Sequence, residues 1–313
     1  MTPMLCERSD FYTNHICDCL FYETVCRVQH PDFSDRHAGK MASFIMQNTS
    51  RIKRLSFYNC PKLGPRGIER ILDALHERRL QNLSQLEISS VSITDQGLLA
   101  LAKSLFPEEK DEIVTTIIGT LELEDIGRIK QSTWNSFLPR ALNNNTRFHH
   151  LKTLDLTHNN LTIQSVQILV ESLTTNGTLQ NLILSENPMI GDEGTRLISQ
   201  ALNLNSTLKV LSLAVCNITN KGIRYLADCL QGHNTTLSRL YLFGNPYDHE
   251  SKDKVQLTYW LDLNACGRQT FQKTTTSTRR TSMISQSLAQ AAQQNRHDII
   301  YGLLKESPHV WIP

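Results

Sequence analysis

Apolar positions along this chain follow two alternating periods. A short stretch with leucines at every second position is followed, after a turn, by a stretch with apolar residues three or four apart. The clearest copy of the first is Leu151-x-x-Leu154-x-Leu156-x-x-Asn159-x-Leu161. The same frame returns from Leu179, Leu208 and Leu237, at steps of 28, 29 and 29 residues. In the unit that starts at Leu179, Leu182 and Leu184 alternate with Asn181, Ile183 and Ser185, which predicts a short strand. Gly191 to Gly194 then turn the chain, and Leu197, Ile198, Ala201 and Leu202 recur at helical spacing. Each element carries one apolar face that it cannot bury alone, so neighbouring units must stack into a solenoid.

Less regular copies precede these. Frames run from Ile52 through Leu55, Phe57 and Cys60, from Leu83 through Leu86, Ile88 and Val91, and from Ile118 through Leu121, Leu123 and Ile126. Their helices are predicted from Ile68, Ile71, Leu72 and Leu75; from Leu98, Leu101, Ala102 and Leu105; and from Trp134, Phe137, Leu138, Ala141 and Leu142. A charged insertion over 107–112 reads as a surface loop. We expect four regions: an N-terminal cap segment over 1–37, a solenoid of about six strand-helix units over 38–268, a basic Ser/Thr-rich linker over 269–282, and a C-terminal helix with an apolar tip over 283–313.

The frame Leu-x-x-Leu-x-Leu-x-x-Asn/Cys-x-Leu, its period and its helices resemble the ribonuclease-inhibitor-like subfamily of leucine-rich-repeat proteins. The resemblance covers roughly residues 38–266 and is strongest from Leu151 to Cys266. It implies an α/β fold: a right-handed leucine-rich-repeat solenoid, or horseshoe, with a concave parallel β-sheet and convex helices. It also implies that Asn187, and Cys216 in its place one unit on, turn inward to hydrogen-bond the backbone of the adjacent turn. Members include inhibitors, immune sensors, a Ran GTPase activator and actin-capping proteins, so the resemblance indicates a binding surface without naming what is bound.

The flanks are different in character. Phe11, Tyr12, Ile16, Leu20, Phe21 and Val25 supply apolar cover for the open N-terminal end of a solenoid, and Met41, Phe44 and Ile45 mark a helix before the first strand. Cys6, His15, Cys17, Cys19, Cys26 and His30 lie in the same stretch, but they contain no Cys-x-x-Cys pair, so packing is favoured over zinc. At the other end, Val255, Leu257, Trp260, Leu261 and Leu263 predict a terminal helix. Beyond the linker, Leu288, Ala291, Ala292, Ile299, Ile300, Leu303 and Leu304 predict one amphipathic helix folded back on the solenoid. Its alternative role is as a docking peptide for a partner's groove. Arg279-Arg280-Thr281-Ser282 makes Ser282 a candidate phosphosite.

Charge and chemistry narrow the function by exclusion. Lys plus Arg is 32 and Asp plus Glu is 30, so no global charge draws the chain to nucleic acid or membrane. No apolar run is long enough to span a bilayer, and the N-terminus lacks a secretory pattern. Single cysteines at repeat positions suit a reducing compartment, so we expect the cytoplasm, or else the nucleus. Asn176, Asn205 and Asn234 begin Asn-x-Ser/Thr strings, but they share one repeat position, read as a helix-to-strand loop where Asn tolerates a left-handed backbone. No phosphate-binding loop, zinc helix or serine elbow is present, so no catalytic residue, cofactor or metal is expected.

The binding face follows from strand alternation. With the leucines turned to the core, the middle outward row reads Ser56, Glu87, Glu122, Asp155, Ile183, Ser212, Tyr241. Glu124, Asp125 and Glu186 lie beside its acidic centre, and Phe243 follows Tyr241 at its aromatic end. Glu87, Glu122, Glu124, Asp155, Ile183, Tyr241 and Phe243 are therefore the candidate protein-binding residues. The acidic centre would steer a basic protein partner and the aromatics would anchor it. We expect a monomeric, non-catalytic scaffold or adaptor. The alternatives are a small-GTPase regulator and a stand-alone immune-type sensor or inhibitor. The tail is basic at Arg268, Lys273, Arg279 and Arg280, which departs from the acidic tail of the Ran activator.

Overall fold

The computed structural model describes residues 20–22, 24–29, 32–47, 52–64, 83–91, 120–142, 151–269 and 288–305, with isolated helical positions at 66–68, 70–71, 95 and 98–99. Ser282, the 107–112 insertion, the apolar tip and all of the N-terminal Cys/His group except Cys26 lie outside the described residues.

One sheet organises the molecule, with its strands in chain order: β1 (Leu20–Tyr22), β2 (Val25–Val28), β3 (Arg54–Tyr58), β4 (Gln85–Ser89), β5 (Thr120–Glu124), β6 (Thr153–Asp155), β7 (Asn181–Ile183), β8 (Val210–Ser212) and β9 (Arg239–Tyr241). From β2 onward every pairing is parallel, while β1 turns back antiparallel on β2. Parallel neighbours need a crossover, and from β5 onward each crossover is a repeat helix. The described helices are α1 (Asp35–Gln47), α2 (Gln131–Leu142), α3 (Ile163–Thr175), α4 (Gly191–Leu202), α5 (Asn220–Gly232), α6 (Lys252–Ala265) and α7 (His297–Lys305). The fold is a right-handed leucine-rich-repeat solenoid.

The sheet exceeds the expected count of about six units. Seven strands carry the frame, and β2, which lacks its leucines, adds an eighth parallel strand from the segment read as a cap. Cys26 and Val28 of β2 are buried beside the first frame strand. The core is a column: Leu55, Leu86, Leu121, Leu154, Leu182, Leu211 and Leu240 are register partners across successive strands.

Two ladders of buried amides tie the turns together. Asn187 accepts the backbone N–H groups of Asn159 and Leu161 and donates to the carbonyls of Leu156 and Leu184. Asn159 and Asn245 repeat this pattern, and Cys216 donates its thiol to Leu184 O instead. The second ladder runs through Asn176, Asn205 and Asn234. These residues are 3–4% exposed, each donating to the turn before and accepting two backbone N–H groups of its own loop. The expectation of left-handed loop residues is corrected here. Asn176 is extended, at φ −69° and ψ 123°, and the side chain stands inside the solenoid because unpaired loop N–H groups there need an acceptor.

The predicted C-terminal helix is two helical pieces, over 288–293 and α7, broken at Asn295. Asn295 has φ 53°, its N–H donates to Ala292 O, and Arg296 N–H donates to Ala291 O, a Schellman end for the first piece. The hairpin packs on α6 through Leu263, Cys266, Ala291, Ile299 and Leu303. Arg296 also pairs with Asp262 at 2.6 Å.

Candidate protein-binding site

Register places the outward residues in the expected row. Ser56, Glu87, Glu122, Asp155, Ile183, Ser212 and Tyr241 are successive cross-strand partners. The row extends one strand further, to Arg27 on β2, which is exposed. Glu124 lies one position along β5 from the row's leucine neighbour and pairs in register with Ser89.

The carboxylates are held by neutral donors. Ser56 Oγ donates to Glu87 at 2.8 Å, Gln85 Nε2 to Glu122 at 2.8 Å, and Ser89 Oγ to Glu124 at 3.1 Å. Asp155 accepts both the N–H and the hydroxyl of Thr157. Sequence reasoning found the acids but missed these donors. The signal was present in Ser56, Gln85 and Ser89 themselves, one strand before each acid. Burial raises the Glu122 carboxyl above the usual range, with Glu87 and Asp155 adding repulsion. Burial also raises Asp155, against the pull of Thr157. The centre of the face is therefore crowded negative charge whose ionised form is disfavoured.

Toward the C-terminal end the face becomes apolar. Ile183 is half-buried, whereas Tyr241 and Phe243 are 46% and 66% exposed. The C-terminal hairpin sits on α6, and those two rings remain exposed. Asp125 and Glu186 are turn residues in the left-handed region, and His158 approaches Asp125 at 3.5 Å. Arg268, expected in a basic tail, is 3% exposed and donates to the carbonyls of Leu230 and Gln231 at the end of α5. No group of metal-ligating side chains occurs among the described residues, and no described helix is long and apolar enough to cross a membrane.

Comparison with known proteins agrees with the repeat. A family model described as Leucine Rich repeat matches residues 149–162, 175–199 and 204–227. The chain is 37% identical over 84 residues to human NACHT, LRR and PYD domains-containing protein 7, a match covering 26% of this chain and 8% of that one. It is 22% identical over 188 residues to the Drosophila melanogaster Protein Cep78 homolog, covering 53% of this chain and 21% of that one. Among solved structures, leiomodin-1 actin-binding site 2 aligns with TM-score 0.43 at 21% identity, over 55% of this chain and 90% of that one. These curated relatives are far longer than the stretch they share with this chain. The chain carries leucine-rich repeats over the residues matched.

Proposed function

We propose that this protein is a non-catalytic scaffold or adaptor of the ribonuclease-inhibitor-like kind that binds a basic protein partner on its concave sheet. One observation carries the reading: the exposed aromatics Tyr241 and Phe243 stand on the same face as a register-matched row of half-buried carboxylates. Large aromatics left in solvent mark interfaces, and charge of one sign selects the complementary partner. The 28- and 29-residue steps and the 12- and 13-residue helices α3, α4 and α5 support the subfamily. Buried free thiols at Cys216 and Cys229 support a reducing compartment.

The test is affinity capture from native lysate with the wild type and the Tyr241→Ala/Phe243→Ala double variant, with thermal melting of both. A basic partner that disappears with the variant, at unchanged melting temperature, supports the reading. An unchanged partner set sinks the site.

A further inference from the structure

Each repeat leaves its strand through a residue in the left-handed region. These are Asn59, Ser90, Asp125, His158, Glu186, Val215 and Gly244, with φ from 47° to 72°. Four of the seven are Gly, Asn, Asp or His, which this backbone tolerates best, and Ser90 and Glu186 are unbranched at Cβ. Val215 alone is β-branched, and a branched Cβ at positive φ collides with the neighbouring carbonyl. Burial does not explain the choice, because Val215 is 41% exposed.

The surroundings of Val215 point to the binding face. Its N–H donates to Phe243 O at 2.9 Å, the bond that the equivalent residue of each earlier repeat makes to its next repeat, and here the acceptor residue is an exposed aromatic. A Cβ built on Gly244 would lie 2.8 Å from Val215 Cγ2, so the glycine in the next repeat leaves the space that the valine side chain fills. Val215, Tyr241 and Phe243 are all exposed and lie on the last two frame repeats, which makes that corner of the sheet apolar. Along that row, no salt bridge among the described residues reaches Glu87, Glu122 or Asp155. Strain held at a position that still leaves the side chain exposed is an argument for function.

We infer that Val215 is a third apolar anchor of this face, and that it receives a basic protein segment with an apolar side chain at the corner and Lys or Arg side chains over Asp155 and Glu122. The inference rests on the concave face being the binding face. With strands about 4.8 Å apart, Asp155 lies about 14 Å and Glu122 about 19 Å from Tyr241 along the row. An extended segment covers those spans in roughly four to six residues.

The test begins with a displayed library of random 12-residue peptides, selected on the full chain. Enriched peptides are then titrated by fluorescence anisotropy against the wild type, V215N, E122Q/D155N and Y241A/F243A, and V215N is melted without peptide. The expected peptides join an apolar residue to Lys or Arg at that spacing. V215N and E122Q/D155N should each weaken them roughly tenfold. V215N should also melt higher than the wild type, because Asn relieves the backbone; a role in the fold alone would move stability the other way. Peptides that need Tyr241 and Phe243 but ignore Val215 or the two acids overturn the inference and leave the concave-face reading standing. No enrichment, or peptides indifferent to all three variants, overturns both. A V215N protein that melts lower also overturns the anchor assignment.

Discussion

Asn187 reaches back one full turn of the solenoid to Asn159, its Oδ1 accepting the Asn159 backbone N–H at 3.0 Å. The same oxygen accepts from Leu161, and the amide nitrogen donates to carbonyls of both turns. Replacing Asn187 with Ala would strand several buried backbone groups at once. We expect a loss of roughly 2–4 kcal/mol, measured by urea unfolding. A loss within error of zero would mean that water substitutes for the amide.

The acidic row predicts a pH-dependent variant. Glu122 has a raised carboxyl pKa in the fold, so the folded chain holds its proton to higher pH than the unfolded chain does. Below the ordinary carboxylate range the residue is neutral in both states and exerts no penalty. As pH rises through the raised pKa, the folded state must ionise a partly buried, repelled group, and stability falls. Glu122→Gln removes that penalty and keeps an acceptor for Gln85. It should melt about 1–3 °C above the wild type at pH 7 and level with it at pH 3. An equal gain at both pH values would place the effect in packing.

Arg268 closes the end of the repeat array. It donates to Leu230 O and Gln231 O and stacks on Trp260, with its guanidinium carbon 4.4 Å from the ring centroid. The cation lies at the C-terminus of α5, where positive charge is favoured. Arg268→Met keeps much of the apolar stem and deletes the donors. We expect roughly 2–3 kcal/mol of destabilisation in urea. A neutral result would show that the stem alone holds the end.

Gly302 controls how closely the C-terminal hairpin approaches the solenoid. A Cβ at this position would collide with Tyr259 Oη and come within 3.0 Å of Leu263 Cδ1. Gly302→Val should push α7 off α6. Hydrogen exchange in 297–305 should then accelerate by about tenfold or more, while the β6–β9 core keeps its protection. Unchanged exchange would mean that Tyr259 moves aside at little cost.

The middle row was legible in the sequence because every frame has the same internal spacing. Leu86, Leu121 and Leu154 therefore predict that Glu87, Glu122 and Asp155 face one another, and the register agrees. What escaped depends on neighbours a whole period away. Val25–Val28 joins the sheet without the leucines of the frame, because β3 offers it an edge. Asn176 looks like any loop asparagine until the preceding turn presents Leu142 O to it. Arg268 reads as tail charge until the carbonyls at the end of α5 stand within reach. The break at Asn295 was hidden by apolar residues that suit one continuous helix, although Asn is a known left-handed stop. Val215 escaped for the opposite reason: no local pattern places a branched residue at positive φ.

The exchange of Asn for Cys at position 216 has a mechanical consequence. Burial pushes the Cys216 thiol up to about 11, so it stays protonated and offers Leu184 O and Ala214 O a single weak donor. The turns on either side are joined by amides with two donors and a two-lone-pair oxygen. An array that couples only neighbour to neighbour parts at its weakest joint. Within the stretch from Asn159 to Asn245, where amides fill the other joints, the first tear should fall between the turns of Asn187 and Cys216, and Cys216→Asn should raise the rupture force of that joint in an optical trap.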